Sequence, residues 1–134
     1  MRTNRLTRLT AGSAGLALLL GMGSSGPVWA KDGADDARAR GACSRSADWE
    51  LRAKPRDGRL EVRFDVDANR PGQQWIYTIR RDGTLTSSGK RTTNSSSASF
   101  RVQRTLPDVP GTSRITATAR NPKTREHCRA AVTI

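Results

Sequence analysis

Aromatic side chains are scarce in this chain, six among 134 residues, and histidine occurs once and cysteine twice. With so few rings and 34% hydrophobic residues, there is no material for a thick, multilayered core, which excludes a large cofactor-binding α/β fold. One His, two Cys and no carboxylate cluster leave too little to build either a Cys/His zinc site or a Ser-His-Asp centre. Apolar runs are short and confined to the first thirty residues, so no membrane span is expected. The length allows one small domain and no second core. The expectation is therefore a protein that is not an enzyme, with no cofactor and no metal.

What the chain does have begins with an address. Arg2, Arg5 and Arg8 precede the apolar run Gly15 to Met22, and Pro27-Val28-Trp29-Ala30 closes the segment with small residues before Lys31-Asp32. This order predicts a cleavable secretory signal peptide over residues 1–30, cut after Ala30. There is no consecutive arginine pair, and Cys43 lies too far behind the apolar run to be a lipoprotein attachment site. The mature protein is thus expected to be secreted, extracellular and monomeric.

Charge is distributed unevenly. Beyond residue 30, 21 bases face 12 acids, a net of +9. Residues 31–67 hold nine of each sign, whereas residues 68–134 hold twelve bases against Asp82, Asp108 and Glu126 alone. The whole excess lies in the second half.

Residues 31–42 are polar and lack large apolar side chains, which predicts a disordered lead-in. From Cys43 on, apolar residues alternate with a period of two in short runs separated by turn chemistry, the pattern of half-buried antiparallel strands. The runs are Trp49–Ala53, Leu60–Val66, Trp75–Ile79, a weaker edge run over Thr84–Gly89, Ala98–Val102, Ile115–Ala119 and Cys128–Ile134. Asp57-Gly58, Pro71-Gly72, Asp82-Gly83, Pro110-Gly111 and Asn121-Pro122 punctuate them. Seven strands over residues 43–134 predict an all-β, antiparallel immunoglobulin- or fibronectin-like sandwich, with a small closed barrel as the alternative. Cys43 and Cys128 flank this domain, and in an oxidising compartment they are expected to form one terminal disulfide.

Cys43-Ser44 with Ser46 and Trp49, then Glu61-Val62-Arg63-Phe64-Asp65-Val66-Asp67, Pro71-Gly72-Gln73-Gln74-Trp75 and the late Cys128, resemble small exported single-domain proteins of high-GC Gram-positive bacteria that carry no assigned function. The resemblance covers about residues 43–134. It implies a lone extracellular sandwich domain and supplies no site residues.

Several motifs invite a functional reading. Gly83 to Lys90 superficially matches a phosphate loop, but five residues instead of four separate the glycines, Arg91 stands where Ser or Thr should bind magnesium, and no helix follows. Asp65 and Asp67 share a strand face with Arg63, which favours ion pairing over acid/base work. His127 should point outward if Cys128 points inward, and it has no nucleophile to serve. Trp75 is expected in the core, with Trp49 balanced between core and surface.

The charge asymmetry carries the sharpest expectation. If the third, sixth and seventh runs share a sheet, Arg80, Arg114, Arg120 and Arg129 project from its outer face among Thr78, Thr116, Thr118 and Thr133. Such a face suits phosphate or carboxylate groups, pointing to a binding module for an anionic cell-wall polymer, or to an extracellular protein partner. Nucleic acid is disfavoured because no aromatic residues interleave with the basic ones. The alternative class is a secreted protease inhibitor acting through loops at Arg104–Thr112 or Arg120–Arg125.

Overall fold

The computed structural model describes residues 36–134; the expected signal peptide and the first part of the lead-in lie outside them. Eight strands follow in order: β1 (Ala37–Ala42), β2 (Asp48–Arg56), β3 (Arg59–Asp67), β4 (Gln74–Arg81), β5 (Thr84–Thr92), β6 (Ser99–Pro107), β7 (Arg114–Arg120) and β8 (His127–Thr133). They form two antiparallel sheets, β1-β2-β3-β6 and β5-β4-β7-β8. The all-β sandwich with its disulfide stands as read from the sequence, with eight strands instead of seven. The two separate sheets replace the closed-barrel alternative.

The additional strand is β1, in the segment expected to be a disordered lead-in. Ala37, Ala39 and Gly41 alternate with Arg38, Arg40 and Ala42, and the small residues turn inward opposite Ala53, Leu51 and Trp49. Its period-two pattern is carried by Ala and Gly, too small to register as a hydrophobic signature. Small size is what this edge needs. A Cβ on Gly41 would come within 2.8 Å of Trp49 Cζ2, because the indole folds over the glycine. Trp49 thus packs against the core and shields the sheet edge, a use of an aromatic ring beside an edge glycine that pins strand pairing. Sheet two repeats the device, with Tyr77 folded over Gly89 of edge strand β5.

Two hairpins turn where the sequence predicts. Asp57-Gly58 and Asp82-Gly83 both have positive φ, 54° and 75°, then 49° and 87°. Two successive left-handed residues make the tight turn whose twist matches that of the flanking strands.

The core lies between the sheets. Leu51, Leu60, Val62, Phe64 and Val66 meet Trp75, Tyr77, Ile79, Ile115 and Val132 from the opposite side. Trp75 is 0% exposed and Phe100 stands between it and Phe64, with ring centroids 6.2 Å and 6.5 Å away. The expectation that Trp75 fills the centre is met. Arg104, on edge strand β6, also turns inward: its Nε donates to Ser87 Oγ at 3.0 Å and its Nη2 to Tyr77 Oη at 3.0 Å. An inward charge on an edge strand blunts edge-to-edge association, and this position removes Arg104 from any exposed loop.

One end of the sandwich is locked by the Cys43–Cys128 disulfide, which spans 85 residues of sequence. Beside it, Ser44 N–H donates to His127 O at 2.8 Å and His127 N–H to Ser44 Oγ at 2.9 Å. Glu126, 5% exposed, accepts hydrogen bonds at Oε2 from Ala47 N–H (2.7 Å) and Arg45 N–H (3.1 Å). The β1–β2 loop and the start of β8 are therefore a single rigid unit.

Candidate anion-binding face

The two outer faces of the sandwich use charge in opposite ways. On the β1-β2-β3-β6 side, many of the bases and acids pair with each other. Arg38 and Arg40 reach Glu50, Arg52 reaches Asp36, Arg56 reaches Glu61, and Arg63 and Arg101 flank Asp65. The short Arg101 Nε–Asp65 Oδ1 bond, 2.6 Å, raises the Arg101 guanidinium further above its ordinary range. Asp65 and Asp67 therefore serve in or beside a surface ion-pair lattice, as the neighbouring Arg63 suggests.

On the β5-β4-β7-β8 side, no such pairing exists among the described residues. Arg80, Arg114, Arg120 and Arg129 are all exposed, and none forms a salt bridge with a described carboxylate. Asp82 accepts at Oδ1 a hydrogen bond from the Arg114 backbone N–H at 2.8 Å. Arg81 turns the other way, with Nε on Ser113 Oγ at 3.1 Å and Nη1 on the Pro107 carbonyl.

Strand register divides the four arginines into two groups. Lys90, Ile76, Arg120 and His127 stand abreast across β5, β4, β7 and β8. The next row is Ser88, Thr78, Thr118 and Arg129; then follow Leu85, Arg80, Thr116 and Ala131, and finally Arg114 opposite Thr133. Rows advance two residues, so Arg120 and Arg129 sit about 8 Å apart at Cα, as do Arg80 and Arg114, with roughly 12 Å between Arg129 and Arg80. The floor between the groups carries hydroxyls, with Thr78 Oγ1 hydrogen-bonded to Thr118 Oγ1.

The Arg120 and Arg129 end is concave. A depression of about 630 Å³ has Thr118, Arg120, Asn121, Arg125, His127 and Arg129 in its lining. Arg80 and Arg114 are outside it. His127 points outward and Cys128 inward, as their alternation implies. Arg125 joins the cluster from the β7–β8 turn, where Asn121 Oδ1 accepts from Lys123 N–H (2.9 Å) and Thr124 N–H (3.2 Å) and Asn121 O accepts from Arg125 N–H (2.7 Å). Strand alternation could not assign Arg125 to this face because it lies in a turn. Lys90 escaped because its strand has almost no apolar side to read. The segment Gly83 to Lys90 is a hairpin turn running into strand β5, with no phosphate-loop geometry.

A second depression, about 560 Å³, lies on the other face and is lined by Arg40, Asp48, Trp49, Glu50, Asp65 and Asp67. Among the described residues, no three His, Cys, Asp or Glu side chains converge as metal ligands would. Nor does any described helix have the length and hydropathy to cross a membrane. No protein-family model matches the chain, and neither does any curated protein or solved structure.

Proposed function

We propose that this protein is a secreted, non-enzymatic binding module of immunoglobulin or fibronectin type, of the small exported kind its sequence resembles, and that the outer face of β5-β4-β7-β8 engages an anionic envelope polymer. The carrying observation is the partition of charge: Asp36, Glu50, Glu61 and Asp65 on the first sheet's side are paired with arginines, while Arg80, Arg114, Arg120 and Arg129 have no carboxylate partner among the described residues. Apart from Arg80 Nη1, which donates to the Gly83 carbonyl at 3.4 Å, these guanidiniums keep donors for external oxygens, and guanidinium forks match phosphate and carboxylate geometry. The strand order supports the fold type, since β2-β3-β6 opposite β4-β7-β8 is the immunoglobulin-like arrangement of consecutive strands. The paired cysteines accord with an oxidising destination.

The test is cosedimentation of the purified protein with isolated envelope material over a salt series, beside an unrelated domain of similar net charge. Retention above that control, lost as salt rises, is the expected result. Replacing Arg80, Arg114, Arg120 and Arg129 together by Ser should bring retention down to the control without changing the melting temperature by more than a few degrees. Retention equal to the control for the unaltered protein would leave the charge as simple solvation. Inhibition of a trypsin-like protease is not expected, because Arg104 is turned inward and Asn121–Arg125 is a compact turn with Arg125 at φ 66°.

A further inference from the structure

We infer that the depression at the β7–β8 turn is a subsite for a single phosphate group, and that its ligand is a phosphodiester polymer with a further phosphate reaching toward Arg80 and Arg114. The inference rests on the reading of the basic face as a binding surface, and names the chemistry and the point of anchorage.

Three arginines from three stretches of backbone line the depression: Arg120 at the end of β7, Arg125 in the turn and Arg129 in β8. Thr118 and His127 are also part of its lining. A planar carboxylate is served by one or two guanidinium forks, whereas a tetrahedral phosphate offers oxygens in several directions and can engage three. The acid nearest in sequence cannot neutralise them. Glu126 lies between Arg125 and His127 in the chain, yet it is buried and its Oε2 is committed to the amides of Arg45 and Ala47. Among the described residues the cluster is therefore uncompensated, because the fold has turned Glu126, the carboxylate within it in sequence, toward the amides of another loop.

Two features hold the backbone that carries these arginines in place without a ligand. The Cys43–Cys128 disulfide and the two Ser44–His127 hydrogen bonds fix the start of β8. The Asn121 side chain and carbonyl fix the turn. Arg125 itself stands at φ 66°, a left-handed conformation that Gly or Asn adopts most readily. The turn does not need an arginine there, while the depression uses one.

The test compares three probes: synthetic poly(glycerol phosphate), polygalacturonate as a carboxylate polymer, and phosphatidylglycerol vesicles as a lipid source of phosphate. Inorganic phosphate serves as the minimal ligand in an NMR titration. The expected result is phosphate-dependent shifts at Thr118, Arg120 and Arg125–Arg129 with little change at Arg80 and Arg114. Poly(glycerol phosphate) should bind more tightly than the carboxylate polymer or the vesicles. Arg120→Ser with Arg129→Ser should weaken polymer binding by about tenfold or more, against about two- to threefold for Arg80→Ser with Arg114→Ser, as loss of strong versus peripheral charge-assisted bonds implies. Arg125→Gly should weaken it about threefold or more while leaving the melting temperature unchanged or higher, so lost binding is separable from lost folding. Equal losses from both arginine pairs, or no discrimination against the carboxylate polymer, would overturn the phosphate subsite while leaving the basic-face reading intact. Preference for vesicles would overturn the polymer assignment. Undiminished binding in every variant would overturn both readings.

Discussion

Glu126 is a buried carboxylate with no cationic partner among the described residues, stabilised by two backbone N–H groups from a loop about eighty residues earlier. Those amides, of Arg45 and Ala47, are in turn withdrawn from water by the same contact. Replacing Glu126 by Ala should destabilise the protein by about 1–3 kcal/mol, the penalty of stranding buried donors, read as a lower urea midpoint with unchanged slope. The Cys43–Cys128 bond should still form, because its geometry does not depend on that carboxylate. At this scale, sequence was informative wherever alternation decides direction: Trp75 inward, Cys128 inward, His127 outward. It was silent about Glu126, whose partners are main-chain amides distant in sequence, and about Arg125, whose direction is set by a turn.

Among the elements, β1 is the one whose attachment depends most on surface charge. It buries only small side chains and is tied to its neighbour by Arg38 and Arg40 on Glu50, with Arg52 on Asp36 just ahead of it. Partial desolvation pushes the Asp36 carboxyl up, but its hydrogen bond from Arg52, its own backbone and the charges of Arg52 and Arg38 outweigh that and hold it below its usual value. A carboxylate lowered in the folded state stabilises fully above its unfolded pKa, near 3.9, and loses that contribution as pH falls through the folded value. Amide exchange at Ala37–Ala42, corrected for intrinsic rates, should therefore speed up relative to β3 below about pH 4. Asp36→Asn should remove most of this pH dependence. Because Asp36 is well exposed, the effect should stay local to the edge. The element scale also shows why seven strands were legible and the eighth was not: Leu60 to Val66 declare themselves by alternating large apolar residues, whereas Ala37 to Ala42 alternate by size alone. The grouping of strands into sheets followed from the expected topology, but the separation of four arginines into two pairs required the register.

For the whole molecule, the disulfide closes a loop of 85 residues, which in the chain-entropy model removes about 4–5 kcal/mol of denatured-state freedom. Reduction should accordingly lower the melting temperature by roughly 15 °C or more, since each kcal/mol shifts a domain of this size by about 4–8 °C. An unchanged temperature on reduction would mean that the hydrogen bonds of Ser44, Ala47 and Glu126 hold that end unaided. The core itself, with Trp75, Phe64 and Phe100 at its centre, should retain much of its strand content after reduction.

The separation of paired and unpaired charge onto opposite faces also gives the molecule a direction. In the field of a negatively charged surface such a particle experiences a torque as well as an attraction, and turns before it touches. It would arrive with β5-β4-β7-β8 toward the surface and the ion-paired sheet away from it. The depression around Trp49, Asp48 and Asp67 would then face the medium, so that every copy on a coated surface displays the same ion-paired side outward.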